Sequence, residues 1–153
     1  GDVPEHLGVC TDVVIRALRN AGYDLQSLVH VDVKAHPRRY PDIVRPDPNI
    51  DHRRVRNLVR YFRAHHRLLA TTVTAATRHT LLPGDVVFLD TLPRPGPDHL
   101  GIISDSVSAN HWPRVINNWT VGYHSQEMDL LPQIPITHHF RLRPAVARVP
   151  LRR

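Results

Sequence analysis

The single cysteine of this 153-residue chain, Cys10, stands immediately before a run with helical spacing, in the stretch "GVCTDVVIRALRNAG". A thiol at a helix N-terminus meets unpaired backbone N–H groups and the positive end of the macrodipole. Both lower its pKa and populate the nucleophilic thiolate. Thiol chemistry also needs a base within hydrogen-bond reach and a group to orient that base, and such partners are neighbours in space rather than in sequence. In "GPDHLGIISD" His99 opens a β-rich run directly after a tight loop, and "VINNWT" supplies two amides, Asn117 and Asn118. Taken singly, these residues also fit an inert buried thiol, an exposed turn histidine and the amides of an edge strand. Taken together and in this order, they point to a thiol nucleophile, a base and an orienting amide, a set that calls for no cofactor and no metal.

The elements that must position these groups follow from periodicity. Val13, Val14, Ala17, Leu18 and Ala21 recur at helical intervals, which predicts a helix over 10–21 stopped by Gly22. A second helix is expected over 24–35, capped by Asp24 and ended before His36 and Pro37. The proline-rich stretch 36–50 reads as an ordered loop without regular structure. Val55, Leu58, Val59 and Phe62 predict a third helix, with Asn49 or Asp51 as its cap. Thereafter "TTVTAAT" is β-prone, "GDVVFLD" and "HLGIISD" form a hairpin, and "PRVINNWTVG" and "ITHHFRL" supply two more strands. Helices first and strands after give an α+β fold, with the helices packed on one face of an antiparallel sheet.

Composition removes several alternatives. One cysteine forms neither an internal disulfide nor a multi-thiolate zinc site. The chain holds twelve histidines, but there is no H-E-x-x-H, and the adjacent pair His138–His139 would face opposite sides of a strand. The formal charge is +6 and all but one of the cationic residues are arginine, which favours anionic partners. A nucleic-acid-binding module is the non-enzymatic alternative, but no zinc-finger, KH-type or aromatic RNP pattern supports it. The arginines at 53, 54, 56, 60, 63 and 67 read mainly as a solvated face. No apolar run is long enough for a membrane-spanning helix. The chain begins with Gly1, which leaves a removed secretion signal open.

The helix-initial Cys, "PGDVVFLD", "DHLGIISD" and the polar strand after them together resemble the NlpC/P60-type, papain-like cysteine peptidases. The stretches "GVCTDVVIRALRNAGYDLQSLVHVD", "PDPNIDHRRVRNL", "LLPGDVVFLD" and "VINN" are similar to an uncharacterised bacterial family, DUF1287. The resemblance implies a single papain-like domain over 1–143, followed by an irregular basic tail over 144–153. It implies Cys10 as nucleophile and His99 as base. It also favours Asn117 over Asn118 as the third residue, since relatives often carry histidine there. It further implies amide hydrolysis in cell-wall peptidoglycan, a periplasmic or secreted location, and a cognate inhibitor or immunity protein as a further partner. This chain has Val9–Cys10–Thr11 where NlpC-type enzymes usually have Asp-Cys-Ser. The same pair of groups also serves acyl transfer or deamidation of protein and other amides, where only the acceptor or the amide differs. Tyr40, Asp51, Arg53 and Arg54 are expected to shape a substrate cleft, with Arg53 or Arg54 meeting a substrate carboxylate. Asp12, in the first turn, is expected to stabilise the helix end.

Overall fold

A computed structural model describes residues 3–4, 7–93, 96–119 and 124–144 of the chain. Its first helix, α1 (Cys10–Asn20), turns Val14, Ile15 and Leu18 inward and ends at Ala21 and Gly22. Helix α2 (Leu25–Ala35) is capped by the Asp24 carboxylate, which accepts from the backbone N–H groups of Gln26 and Ser27. Helix α3 (Val55–His65) buries Leu58, Val59 and Phe62 as its spacing predicts. Its start differs from expectation. Arg54 occupies the cap position and no side chain caps the helix, because Asp51 sits one short 3-10 turn earlier and its carboxylate accepts from Asp47 N–H instead. The proline-rich loop is likewise not wholly irregular, since Pro37–Arg39 forms a 3-10 turn.

Six strands follow among the described residues: β1 (Arg67–Leu69), β2 (Val86–Leu89), β3 (His99–Val107), β4 (Pro113–Asn117), β5 (Gln126–Met128) and β6 (Ile136–Arg141). They form one antiparallel sheet in the order β1-β6-β2-β3-β4-β5. The β2–β3 hairpin is present, with His99 opposite Leu89. The β-prone segment 71–77 is not a strand. Residues 75–77 make a turn in which Thr74 and Thr77 bond each other, and the edge strand falls earlier, at β1. The strand expected over "PRVINNWTVG" ends at Asn117, and the last part of that stretch lies outside the described residues. Most of the basic tail expected over 144–153 also lies outside them.

Alternation along the strands divides the interior in two. Val86, Phe88, Leu100, Ile102 and Phe140 face the three helices, while Val87, Leu89, Ile103 and Val115 pack with Leu81, Leu130 and Leu131 on the other side. The central strand β2 is therefore buried on both faces and reads as an uninterrupted apolar run. The helix-side core closes on an aromatic cluster of Phe62, Phe88 and Phe140 with ring centroids 5.5–5.7 Å apart. Each of these rings, wholly buried, contributes about 1.5–3 kcal/mol by leaving water. This core seats α1 against β3 and β4, which brings the head of α1 to the first residues of β3.

Candidate active site

Cys10 is the first residue of α1, and the local sequence fixes that helix end in three ways. The Asp12 carboxylate accepts from Val9 N–H at 2.8 Å, closing the first turn. Arg53 grips the same carboxylate with two bonds, Nε to Oδ1 at 3.0 Å and an Nη to Oδ2 at 2.9 Å. Gly8 enters with φ +144°, and a Cβ there would lie 2.9 Å from Asp12 Cβ, so only glycine admits this approach. The Gly8 carbonyl then accepts from Asn118 Nδ2 at 3.1 Å, which fastens the entry of α1 to the end of β4.

His99 is the first residue of β3 and Asn117 the last of β4. The register pairs Ile102 with Ile116 and Ile103 with Val115, which sets Asn117 opposite Gly101 and diagonal to His99 on one face. His99 Nε2 and Asn117 Oδ1 are 3.1 Å apart, and Asn117 Nδ2 donates to the Val115 carbonyl at 3.0 Å. Because that amide nitrogen already faces a carbonyl, Oδ1 is the acceptor and Nε2 carries the proton. The remaining ring nitrogen, Nδ1, is left as the basic one. Gly101 makes the diagonal contact feasible. A Cβ at this position would meet Val115 Cγ1 at 2.4 Å, the Ile116 carbonyl at 2.7 Å and Asn117 Cβ at 3.2 Å.

The thiol lies near the backbone that leads into this pair. The Leu100 amide, in the peptide that joins His99 to Leu100, is placed to favour the Cys10 thiolate, as are the amides of Thr11 and of Cys10 itself. These amides do not produce the lowered pKa expected of a helix-initial thiol. Burial pushes the Cys10 thiol up, the Asp12 carboxylate adds to the rise, and the three amides only partly offset them. Burial also holds the His99 imidazolium below the usual histidine range, against the raising influence of Asn117 and of Asp98. The resting pair is thus a neutral thiol and a neutral imidazole.

The four residues expected to shape a substrate cleft do not form one set. Tyr40 is wholly buried, and its hydroxyl donates to the Asp32 carboxylate, which Arg39 and His65 also bind. Asp51 is buried and holds the loop through Asp47 N–H. Arg53 is committed to Asp12 and serves the helix end rather than an incoming carboxylate. Arg54 alone of the four is exposed, and it lines a cleft, described below, together with Asp51. Two contributors were not singled out from sequence. Asp98 accepts from Thr91 Oγ1 at 2.6 Å and from the N–H groups of Thr91 and Leu92, which shapes the turn that delivers His99. Trp119, partly exposed, stands edge-on to His99 with centroids 4.9 Å apart. Asp98 directly precedes His99, and a carboxylate in that position is a readable turn signal. Nothing in spacing announces the tryptophan.

The histidine-rich stretches build structure. His139 is buried between Asp85 and the Ala70 carbonyl, while His138 faces Arg63 and stacks on Phe140. Among the described residues no group of three or more His, Cys, Asp or Glu could hold a metal ion. No helix among them is long and apolar enough to cross a membrane.

Fold and site together define an α+β protein with a helix-initial thiol near the Leu100 amide and, at the same end of the sheet, a strand-borne histidine–amide pair. The chain belongs to the family described as Domain of unknown function (DUF1287), which matches residues 1–142. It is also similar to "Uncharacterized protein YijF" of Escherichia coli (strain K12), being 42% identical over 92% of this chain and 67% of that protein. No solved structure matches it significantly.

Proposed function

We propose that this protein is a papain-like thiol hydrolase that cleaves amide bonds in the peptides of bacterial peptidoglycan. The observation that carries the reading is the His99 Nε2–Asn117 Oδ1 bond at the end of the sheet where the Leu100 amide stands near Cys10 Sγ. In this reading His99 Nδ1 takes the thiol proton as Cys10 Sγ attacks the substrate carbonyl. The imidazolium returns that proton to the leaving amine, and a thioester remains on Cys10. His99 then takes a proton from water, the hydroxide displaces the thiolate, and the free acid leaves with the thiol restored. Backbone N–H groups at the head of α1 are the natural donors to the oxyanion. Asn117 keeps Nε2 protonated and the ring in plane without adding charge. The likeness to NlpC/P60-type enzymes supplies the substrate class and, with it, a periplasmic or secreted setting.

Incubating purified peptidoglycan with the wild type and with Cys10→Ala, followed by mass spectrometry of the soluble fraction, tests this reading. New peptide termini are expected from the wild type alone, and identical profiles overturn the proposal. Products that carry an added acceptor amine, or that have lost only ammonia, would assign the same site to acyl transfer or deamidation.

A further inference from the structure

The loop that joins α2 to α3 borders a cleft of about 350 Å3 whose walls come from residues 42–57 and contain none of the thiol, imidazole and amide described above. Arg45, Arg54 and Arg56 line it. None of the three has a carboxylate within ion-pair distance among the described residues, whereas Arg39, Arg53, Arg60 and Arg141 each do. The acidic residues of the same walls are occupied. Asp42 bonds Arg60 at 2.6 Å, Asp51 accepts from Asp47 N–H at 2.7 Å, and Asp47 accepts from Asn49 N–H at 2.8 Å. The cleft therefore offers guanidinium groups that are in no close ion pair, of which Arg56 acts on Asp42 at longer range, while its carboxylates shape the loop.

Two further features narrow the ligand. Helix α3 begins at this cleft with no side-chain cap, so the N–H groups of Val55 and Arg56 have no side-chain acceptor, while Asn57 N–H bonds the Arg54 carbonyl. Asn57, wholly buried in the wall, donates Nδ2 to the Asp51 carbonyl at 3.0 Å, and its Oδ1 has no partner. A buried amide oxygen without a donor is unfavourable, and a ligand that brings an N–H relieves it. Val44, fully exposed, and Ile50 add apolar surface at the same place.

We propose that this cleft binds the free carboxylate end of a peptide. The carboxylate meets the arginines and the head of α3, the last amide N–H turns to Asn57 Oδ1, and the terminal side chain lies on Val44 and Ile50. An inorganic anion brings no N–H for Asn57, and the three aspartates disfavour a dianion. The inference rests on the reading that the substrate is a peptide, and it assigns that peptide a second contact away from the reacting carbonyl. The bidentate Arg53–Asp12 pair ties this wall to the first turn of α1.

The test is binding to the full chain carrying Cys10→Ala, so that it needs no turnover and its outcome is independent of whether peptidoglycan is hydrolysed. Acetyl-Ala-Ala, acetyl-Ala-Ala-amide and inorganic phosphate are titrated separately while the guanidinium and backbone signals of residues 42–57 are followed by NMR. The free acid is expected to bind at least tenfold more tightly than the amide or phosphate. Arg54→Ala together with Arg56→Ala, two exposed positions, is expected to weaken it at least tenfold with the far-UV spectrum unchanged. Equal affinity for acid and amide, phosphate binding as tight as the acid, no binding by any probe, or full affinity in the double variant would each overturn the proposal.

Discussion

Cys10 and His99 are both drawn toward their uncharged forms by the same cause, burial, and this sets how the site must behave. Native Cys10 is expected to react with iodoacetamide at pH 7 more slowly than the urea-unfolded chain. Its rate should rise only above the ordinary thiol pKa of about 8.5. Native labelling at pH 6 to 7 that matches or exceeds the unfolded rate would show a preformed thiolate instead. For His99 the sign runs the other way. Its basic form is present above a folded pKa that lies below the usual histidine value, so the acid limb of kcat/KM should fall at lower pH than an ordinary histidine would set. His99→Ala should cost roughly a hundredfold or more in turnover, the usual worth of a positioned base. Asn117 raises the histidine's pKa, so Asn117→Ala should move the acid limb to lower pH and reduce kcat less than His99→Ala does, with Cys10 still open to alkylation. Asn117→His should keep measurable activity. Asn118→Ala removes the bond to Gly8 and should cost about 1 kcal/mol of stability with little effect on chemistry. Loss of turnover in a folded Asn118→Ala, with none in Asn117→Ala, would reverse the two roles.

At the scale of elements, the site depends on how closely β3 and β4 approach. Gly101→Ala places a methyl against Val115 and the Ile116 carbonyl, and the overpacking should cost about 1–3 kcal/mol. The same methyl presses on Asn117, so turnover is expected to fall more than the stability loss explains, with the acid limb displaced as in Asn117→Ala. An unchanged profile in a merely destabilised protein would separate the glycine from the site. This dependence also shows why sequence reading succeeds and fails where it does. The helices and the β2–β3 hairpin are legible because their apolar spacing matches the faces they bury, as Leu58, Val59 and Phe62 do on α3. Cys10, His99 and Asn117 are legible as residue types at element ends. The threonine-rich segment 71–77 misleads because β-propensity reports fit to a pleated, half-buried surface, and Thr74 and Thr77 bond each other in a turn. The thiol's pKa misleads for a related reason, since position on a helix is local whereas burial under β3 is not. Tyr40, Asp51 and Arg53 have the side chains of a substrate cleft, but their partners are Asp32, Asp47 and Asp12, and no spacing encodes those pairings.

Across the whole molecule, buried titratable groups make folding sensitive to acid in two separate ranges. Burial holds His66 down at about 4, helped by the charges of His65 and Arg143, and His99 and His138 are lowered too. The unfolded chain binds these protons near pH 6.5, so stability should fall as pH drops from about 6.5 toward 4. The second range belongs to carboxylates. Burial alone would raise Asp32 and Asp85. Bonds from Arg39, Tyr40 and His65 to the first, and from Arg141, His139 and the Leu82 N–H to the second, outweigh it and hold both at about 2. Their contribution is complete above the unfolded value of about 3.9 and is lost as pH falls through 2. The urea midpoint is therefore expected to decline in two stages, with the second coming from Asp32 and Asp85. His66→Phe keeps the ring among Tyr23, Tyr61 and Phe62 and removes only a proton site and a 3.4 Å bond from Arg143 N–H. That variant should flatten the first stage and leave the second in place. Asp32→Asn should lose stability at pH 7 and lose less than the wild type between pH 4 and 2. A midpoint level from pH 6.5 to 4, or a first stage as steep in His66→Phe as in the wild type, would show that His66 is not buried neutral in the folded protein.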